Sequence, residues 1–193
     1  MSTLISQRLP ATLLLMIPQY ILSAVIGILL GVYAAKRPNS TGDNLTTSIA
    51  LVGYAMPVFW LAQTLLLIFA VQLDWLPVQG MTTTRLDLSG LDRIVDIVRH
   101  LVLPVSVLTL NHMALTLRLT RASMLEVLRM DYITFARSKG LSDETVTFRH
   151  ALRNALLPIT TILGQQVKVI IAGTMLVETV FAWPGVGRLM YDS

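Results

Sequence analysis

Apolar residues run along this chain in blocks too long for an ordinary buried helix and too continuous for an alternating strand. The first block covers about 11–35 and stops at Lys36-Arg37-Pro38-Asn39-Ser40-Thr41-Gly42, a charged, turn-forming stretch. The second, about 48–71, ends near Asp74-Trp75-Leu76-Pro77, and the third, about 101–120, carries Pro104 and the Asn111-His112 pair. The fourth covers about 158–183 and ends at Trp183. Each is long enough to cross a hydrocarbon core of about 30 Å. In lipid only helices and closed barrels satisfy the backbone, so continuous apolar blocks predict helical spans and an all-α, polytopic membrane bundle. Between Gln79 and His100 the chain is polar, and Leu91, Ile94, Val95, Ile97 and Val98 are spaced as in a short amphipathic surface helix that does not cross.

Composition agrees. Of 193 residues, 54% are hydrophobic and 13% charged, against about 25% charged in soluble domains, which excludes a soluble globular enzyme. With no Cys there is no thiolate metal ligand and no cysteine nucleophile. The net charge of +4 matters by its location. Nine basic residues (Lys36, Arg37, Arg118, Arg121, Arg129, Arg137, Lys139, Arg149, Arg153) occupy the links after the first and third blocks, while Arg8, Arg85, Arg93, Arg99 and Arg188 fall on the other side. Positive charge is retained in the cytoplasm, so those two links are placed inside and the charge gives no reason to invoke nucleic acid. Both ends then lie outside; because residues 1–10 lack the usual signal-peptide form, further chain upstream is expected.

The link at 126–157 is the most informative segment. A helix leaving the third span is expected to continue from Glu126 to Lys139 and stop at Gly140, a residue suited to a left-handed helix end. Ser142 can cap a second helix, with Asp143 and Glu144 at its positive end and Phe148, Ala151, Leu152, Ala155 and Leu156 on one apolar face. Periodicity alone leaves two readings of this elbow open: a basic amphipathic loop on anionic lipid, or a protein-docking site.

Here the motif Asp131-Tyr132-x-x-x-Ala136-Arg137-Ser138-Lys139-Gly140-Leu141-Ser142, followed by Arg149-His150-Ala151-Leu152-Arg153-Asn154-Ala155-Leu156-Leu157-Pro158, resembles the cytoplasmic signature loop of ABC importer permeases, and most closely the dipeptide/oligopeptide/nickel subfamily. Arg8-Leu9-Pro10-Ala11-Thr12-Leu13-Leu14-Leu15 looks like the start of that family's second helix. Glu178-Thr179-Val180-Phe181-Ala182-Trp183-Pro184-Gly185-Val186-Gly187-Arg188-Leu189 looks like its outward-facing motif after the fifth. The resemblance implies a six-span permease of which this chain carries spans two to five, so the chain is expected to be incomplete.

It also implies that the elbow is a coupling helix acting on a cytoplasmic ATPase through Ala136, Arg137, Lys139, Gly140, Leu141 and Arg149. Ala136 and Gly140 would permit close approach, and the charges would set register. No G-x-x-x-x-G-K-[ST] pattern accompanies Lys36, Lys139 or Lys168, so ATP is expected to be used by partner subunits and no cofactor to be bound by this chain. The implied partners are a homologous second permease, two ABC ATPase subunits, an extracytoplasmic solute-binding protein and the bilayer of the bacterial inner membrane.

In the fourth span, Thr161, Gln165, Lys168, Ala172, Met175 and Thr179 follow a spacing of 4, 3, 4, 3 and 4, one helical stripe. Polar groups in a span face a bundle interior or a water-filled path, which makes the stripe the candidate translocation pathway. Lys168 either meets a peptide carboxylate, snorkels or pairs between helices. Asn111 and His112 read as helix–helix hydrogen-bonding groups rather than metal ligands, and Ser23, Gly27 and Gly31 as a packing ridge. The resulting expectation is a permease subunit of an ATP-driven importer of dipeptides or oligopeptides. Import of nickel or glutathione, and a non-transporting membrane fragment or scaffold, stand as the alternatives.

Overall fold

Proline, glycine and a few polar side chains decide where the helices of this chain begin and end. In the computed structural model, residues 2–83 and 89–192 are described, and for 2, 167–173 and 192 only the backbone is. The described residues form α1 (Ser2–Lys36), α2 (Thr41–Ala55), α3 (Val58–Leu66) with a π-helical continuation (Leu67–Gln72), α4 (Gly90–Val127), α5 (Asp131–Ser138), a π-helical turn (Thr145–Ala151) opening into α6 (Leu152–Val180), and α7 (Val186–Asp192). Among the described residues, α1 and α4 are long and apolar enough to cross a bilayer.

Three expected elements differ from those that form. The apolar stretch 48–71 is two helices bent by 102° at their junction. Proline disfavours helical backbone in the residue before it, and Pro57 itself is extended (φ −57°, ψ 132°), so α2 stops at Ala55 and α3 restarts at Val58. The amphipathic segment around 91–98 is not a separate helix but the opening turns of α4. No glycine or proline lies between Leu91 and Leu103, and α4 runs on past Pro104. Conversely, the helix expected to reach Lys139 ends at Val127 and restarts at Asp131, after Met130 in extended conformation, with the acid in the first turn of α5 where it complements the positive helix end.

By contacts the chain forms two compact units. The first comprises Met1–Ile21, Met56–Asn111 and Lys168–Ser193; its core is built on Leu15, Leu61, Leu103, Val107, Leu108, Val177, Phe181 and Trp183. The second comprises Leu22–Ala55 and His112–Val167; its core is built on Val32, Ala35, Met124, Val127, Ile133, Ala136, Val146, Ala151 and Ala155. All nine basic residues of the two links fall in the second unit.

Within the second unit, the Gly27–Gly31 ridge is a packing surface. A Cβ on Gly27 would stand 2.7 Å from Thr116 Cβ, and one on Gly31 2.5 Å from Thr120 Cβ and 2.8 Å from the Leu117 carbonyl. Both contacts advance by four residues on each helix, so α1 and α4 run side by side in the same direction here. Replacing Gly31 by Leu forces these backbones apart and is expected to cost roughly 1–3 kcal/mol, as over-packed sites do. Gly164→Ala meets nothing within 4 Å and, inside α6, should leave stability unchanged or raise it by up to about 1 kcal/mol. Thermal unfolding of the two variants in detergent checks this contrast, and equal midpoints would refute it.

Candidate functional site

The elbow of the second unit is a short, rigid knob. Its inner side is Ile133 and Ala136 of α5 against Val146, Ala151 and Ala155, all buried. Gly140 ends α5 at φ +78°, a conformation glycine adopts without a side-chain clash, and the Gly140 N–H donates to the Arg137 carbonyl at 2.9 Å. Ser142 caps the next helical turn, accepting the Thr145 N–H at 3.3 Å. Asn154 Nδ2 donates to the Tyr132 hydroxyl at 2.6 Å, pinning α5 to α6.

This packing redistributes the residues assigned to coupling. Ala136 is turned into the elbow's own core, 6% exposed, so it is not a surface for close approach by another protein. Arg137 is exposed, with Nη2 3.5 Å from Asp143 Oδ1. Lys139 lies over the Phe135 ring at 4.5 Å. Around Gly140 nothing comes within 4 Å of where a side chain would start, and Leu141 and Arg149 are exposed. Phe148 also faces outward, 49% exposed, while Val146 and Thr147 are buried in its stead. The cause is the π-helical turn, whose i→i+5 bonding adds a residue to the turn and rotates the expected apolar face. Exposed on the elbow are therefore Tyr132, Phe135, Lys139, Leu141 and Phe148, among charged side chains of both signs, Arg137 and Arg149 with Asp143 and Glu144.

On α6, Thr161 and Gln165 are exposed, Met175 and Thr179 half-buried, and the side chains of Lys168 and Ala172 lie outside the described residues. The Thr161 and Thr179 hydroxyls donate to their own helix, at Leu157 O (3.4 Å) and Met175 O (2.9 Å). Among the described side chains of α6, the buried polar groups are instead Gln166, Thr174 and Glu178. One residue is a 100° turn of an α-helix, enough to carry Gln165 outward and Gln166 inward. His112, beside Asn111, is half-buried on α4.

Two polar clusters go beyond the sequence expectations. In the second unit, Asp43, at 1% exposure, receives Arg121 through Nε at 2.6 Å and Nη2 at 2.7 Å, a bidentate pair. The same carboxylate accepts the Asn39 N–H at 2.8 Å, and Ser40 Oγ accepts the Asp43 N–H at 3.2 Å, so Ser40 caps the start of α2 while Asp43 ties down the residue before the cap. The S-x-x-D spacing of Ser40 and Asp43 signals that cap; nothing local signals Arg121, 78 positions away. In the first unit, Glu178 is fully buried. Its Oε1 accepts the Thr12 hydroxyl at 2.9 Å and its Oε2 the Arg188 N–H at 3.0 Å, while the Thr12 oxygen in turn accepts the Val186 N–H at 2.8 Å. Trp183 Nε1 donates to the Ala11 carbonyl at 2.8 Å. A Cβ on Gly185 would collide with the Glu178 carboxyl, which explains the glycine in that motif.

A family model described as "Binding-protein-dependent transport system inner membrane component" matches residues 27–193. The chain is 45% identical over 192 residues to the oligopeptide transport system permease protein AppB of Bacillus subtilis, covering 100% of this chain and 60% of that protein. It is 41% identical over 198 residues to the di/tripeptide transport system permease protein DppB of Pseudomonas aeruginosa, covering 95% and 59%. The chain thus spans about three fifths of the length of these curated relatives. Among solved structures, the inward-facing MetNI methionine ABC transporter superposes with a TM-score of 0.73 over 100% of this chain and 81% of that one, at 17% identity, a likeness of fold.

The Thr12 hydroxyl both donates to Glu178 and accepts from Val186, so Thr12→Val leaves the buried Glu178 Oε1 and the half-buried Val186 N–H without this partner. The expected loss is about 2–4 kcal/mol in unfolding free energy, with Thr12→Ser within about 1 kcal/mol of wild type. Thermal denaturation of the purified protein decides; a Val variant as stable as the Ser variant would show that the cluster carries no stability.

Proposed function

The chain belongs to the family of binding-protein-dependent transport system inner membrane components, and on that premise we propose that it is the membrane-spanning permease subunit of an ATP-driven importer of dipeptides or oligopeptides. The observation that carries the reading is the likeness, along essentially the whole chain, to relatives named as peptide-transport permeases. In this proposal a second permease completes the pathway, two ATPase subunits consume the ATP, and a solute-binding protein delivers the peptide from outside.

The geometry supplies a division of labour. The elbow is the lever: its inner face is locked by core packing and by the Tyr132–Asn154 hydrogen bond, so force applied to Tyr132, Phe135, Leu141 or Phe148 moves α4 and α6 rather than bending the turn. Rigid-body motion of this kind is how closure of a nucleotide-driven partner is transmitted. Gly140 leaves an open surface where the partner's backbone can come close, with Arg137, Lys139 and Arg149 around it as registering charges. The pathway is assigned to the exposed face of α6. Thr160, Thr161, Gly164 and Gln165 are exposed in this chain. Amide and hydroxyl groups at such a position are costly against lipid and are served by water or a second permease.

Two measurements on the full-length complex test the assignments. Gly140→Val places a β-branched residue at positive φ, a strain of about 1–3 kcal/mol, and obstructs docking while leaving the apolar spans untouched. Normal membrane abundance is expected, with reduced co-purification of the ATPase subunits and little peptide uptake; wild-type values of both would refute coupling through this turn. Cysteines at Thr161 and Gln165 should react with a membrane-impermeant thiol reagent in a nucleotide-dependent manner while one at Gln166 stays protected. Protection at 161 and 165 in every nucleotide state would remove this face from the pathway.

A further inference from the structure

Where α1 ends, a cavity of about 330 Å³ opens between Tyr33, Lys36, Arg37, Ser40 and Asp143, all in the second unit. Its charges are unbalanced. Asp143 is the acidic group in its lining, and it is shared: Lys36 Nζ stands 3.4 Å from one oxygen and Arg137 Nη2 3.5 Å from the other. Both separations exceed the 2.7–2.9 Å of a tight charge-assisted hydrogen bond. Arg37 has no ion-pair or side-chain hydrogen-bond partner among the described residues. The nearby Asp43 cannot neutralise it, since both of its oxygens are taken by Arg121. Two cations, Lys36 and Arg37, thus share the cavity with one carboxylate that Arg137 also engages, and two hydroxyls, of Tyr33 and Ser40, line it.

Its location selects the ligand. The apolar run of α1 extends to Lys36, so the cavity lies where that helix leaves the hydrocarbon. Tyr33, one turn earlier, is 58% exposed beside it and has the amphipathic ring of an interfacial residue. Of the first-turn N–H groups of α2, that of Asp43 is already taken by Ser40 Oγ. We propose that this cavity holds the phosphodiester of an anionic membrane lipid, with Lys36 and Arg37 binding the phosphate oxygens and the Ser40 and Tyr33 hydroxyls donating to it. The phosphate competes with Asp143 for Lys36. Asp143 lies in the turn after Gly140, so the occupant loosens the tether between α1 and the elbow, and lipid composition thereby tunes the elbow's freedom. This holds whichever solute the protein carries.

The test uses the full-length permease with its partner subunits, delipidated in detergent and probed by native mass spectrometry with phosphatidylglycerol, phosphatidylcholine and inorganic phosphate. Wild type should retain phosphatidylglycerol and not phosphatidylcholine. Lys36→Gln with Arg37→Gln should weaken retention by about tenfold or more, since each basic residue near an anionic headgroup contributes roughly fivefold. Lys36→Arg with Arg37→Lys should keep it, and Arg118→Gln with Arg129→Gln, basic residues outside the cavity, should leave it near wild type. Equal loss in the control pair would replace the cavity by diffuse surface charge, and equal retention of the two lipids would remove the headgroup from the binding. Displacement of phosphatidylglycerol by an equimolar amount of inorganic phosphate would make a soluble anion the ligand. Each of these results overturns the proposal.

Discussion

In lipid the surrounding chains are as apolar as leucine, so the hydrophobic effect that assembles a soluble core gives two spans little reason to associate. In the second unit the close approach of α1 and α4 replaces it. At Gly27 and Gly31 the missing side chains let Thr116 and Thr120 rest directly on the backbone of α1, where dispersion between closely approaching atoms is strongest. The rest of the unit builds on that contact. Beyond the ridge, Val32 and Ala35 meet Met124 and Val127 in the core that carries the elbow. Arg121, one residue past Thr120, reaches Asp43 at the start of α2 and fastens the chain's reversal after α1 to the same pair of helices.

Electrostatics in this unit sorts into two grades. The Asp43–Arg121 pair is shielded on the carboxylate side, bidentate and short, and breaking it would leave a buried charge uncompensated. The Lys36–Asp143 and Arg137–Asp143 pairs are long and half-exposed. Exposed pairs of this kind contribute at most about 1 kcal/mol and exchange partners readily. A permanent joint therefore sits at the helix reversal, and an adjustable one at the elbow, where a nucleotide-driven subunit and a lipid headgroup are both proposed to act.

Features set by neighbours within four residues are legible in the sequence: the stop at Gly140, the Ser142 cap and the helical character of the apolar blocks; the four-residue spacing of Gly27 and Gly31 likewise marks a packing ridge, without naming the threonines of α4 that it receives. Features set by phase or by distant partners are not. A π-helical turn exchanges Phe148 for Val146 and Thr147 on the inner face, and an α-helical periodicity cannot anticipate an inserted residue. The polar stripe of α6 has a helical period, yet the side on which the chain's own helices lie is a tertiary fact, and it is Gln166, Thr174 and Glu178 that face inward. An outer position for Ala136 follows only if the whole signature is a docking surface; the structure uses its small side chain to let α5 sit close on the core. The partnerships of Asp43 with Arg121 and Thr12 with Glu178 join positions 78 and 166 residues apart, a separation at which a single sequence carries no pairing signal.

The 166-residue span of the Thr12–Glu178 hydrogen bond also imposes an order of assembly. During synthesis at about 5–20 residues per second, roughly 10–30 s separate the emergence of Thr12 from that of the turn holding Trp183 and Val186. Throughout that interval Ala11 and Thr12 lack the indole and the carboxyl that fasten them, so the first unit is held open by the order of translation itself. The second unit has no such wait beyond residue 167. The elbow can be formed while the helix ends of the first unit are still unlatched, which makes the Glu178–Arg188 segment the latch of that unit.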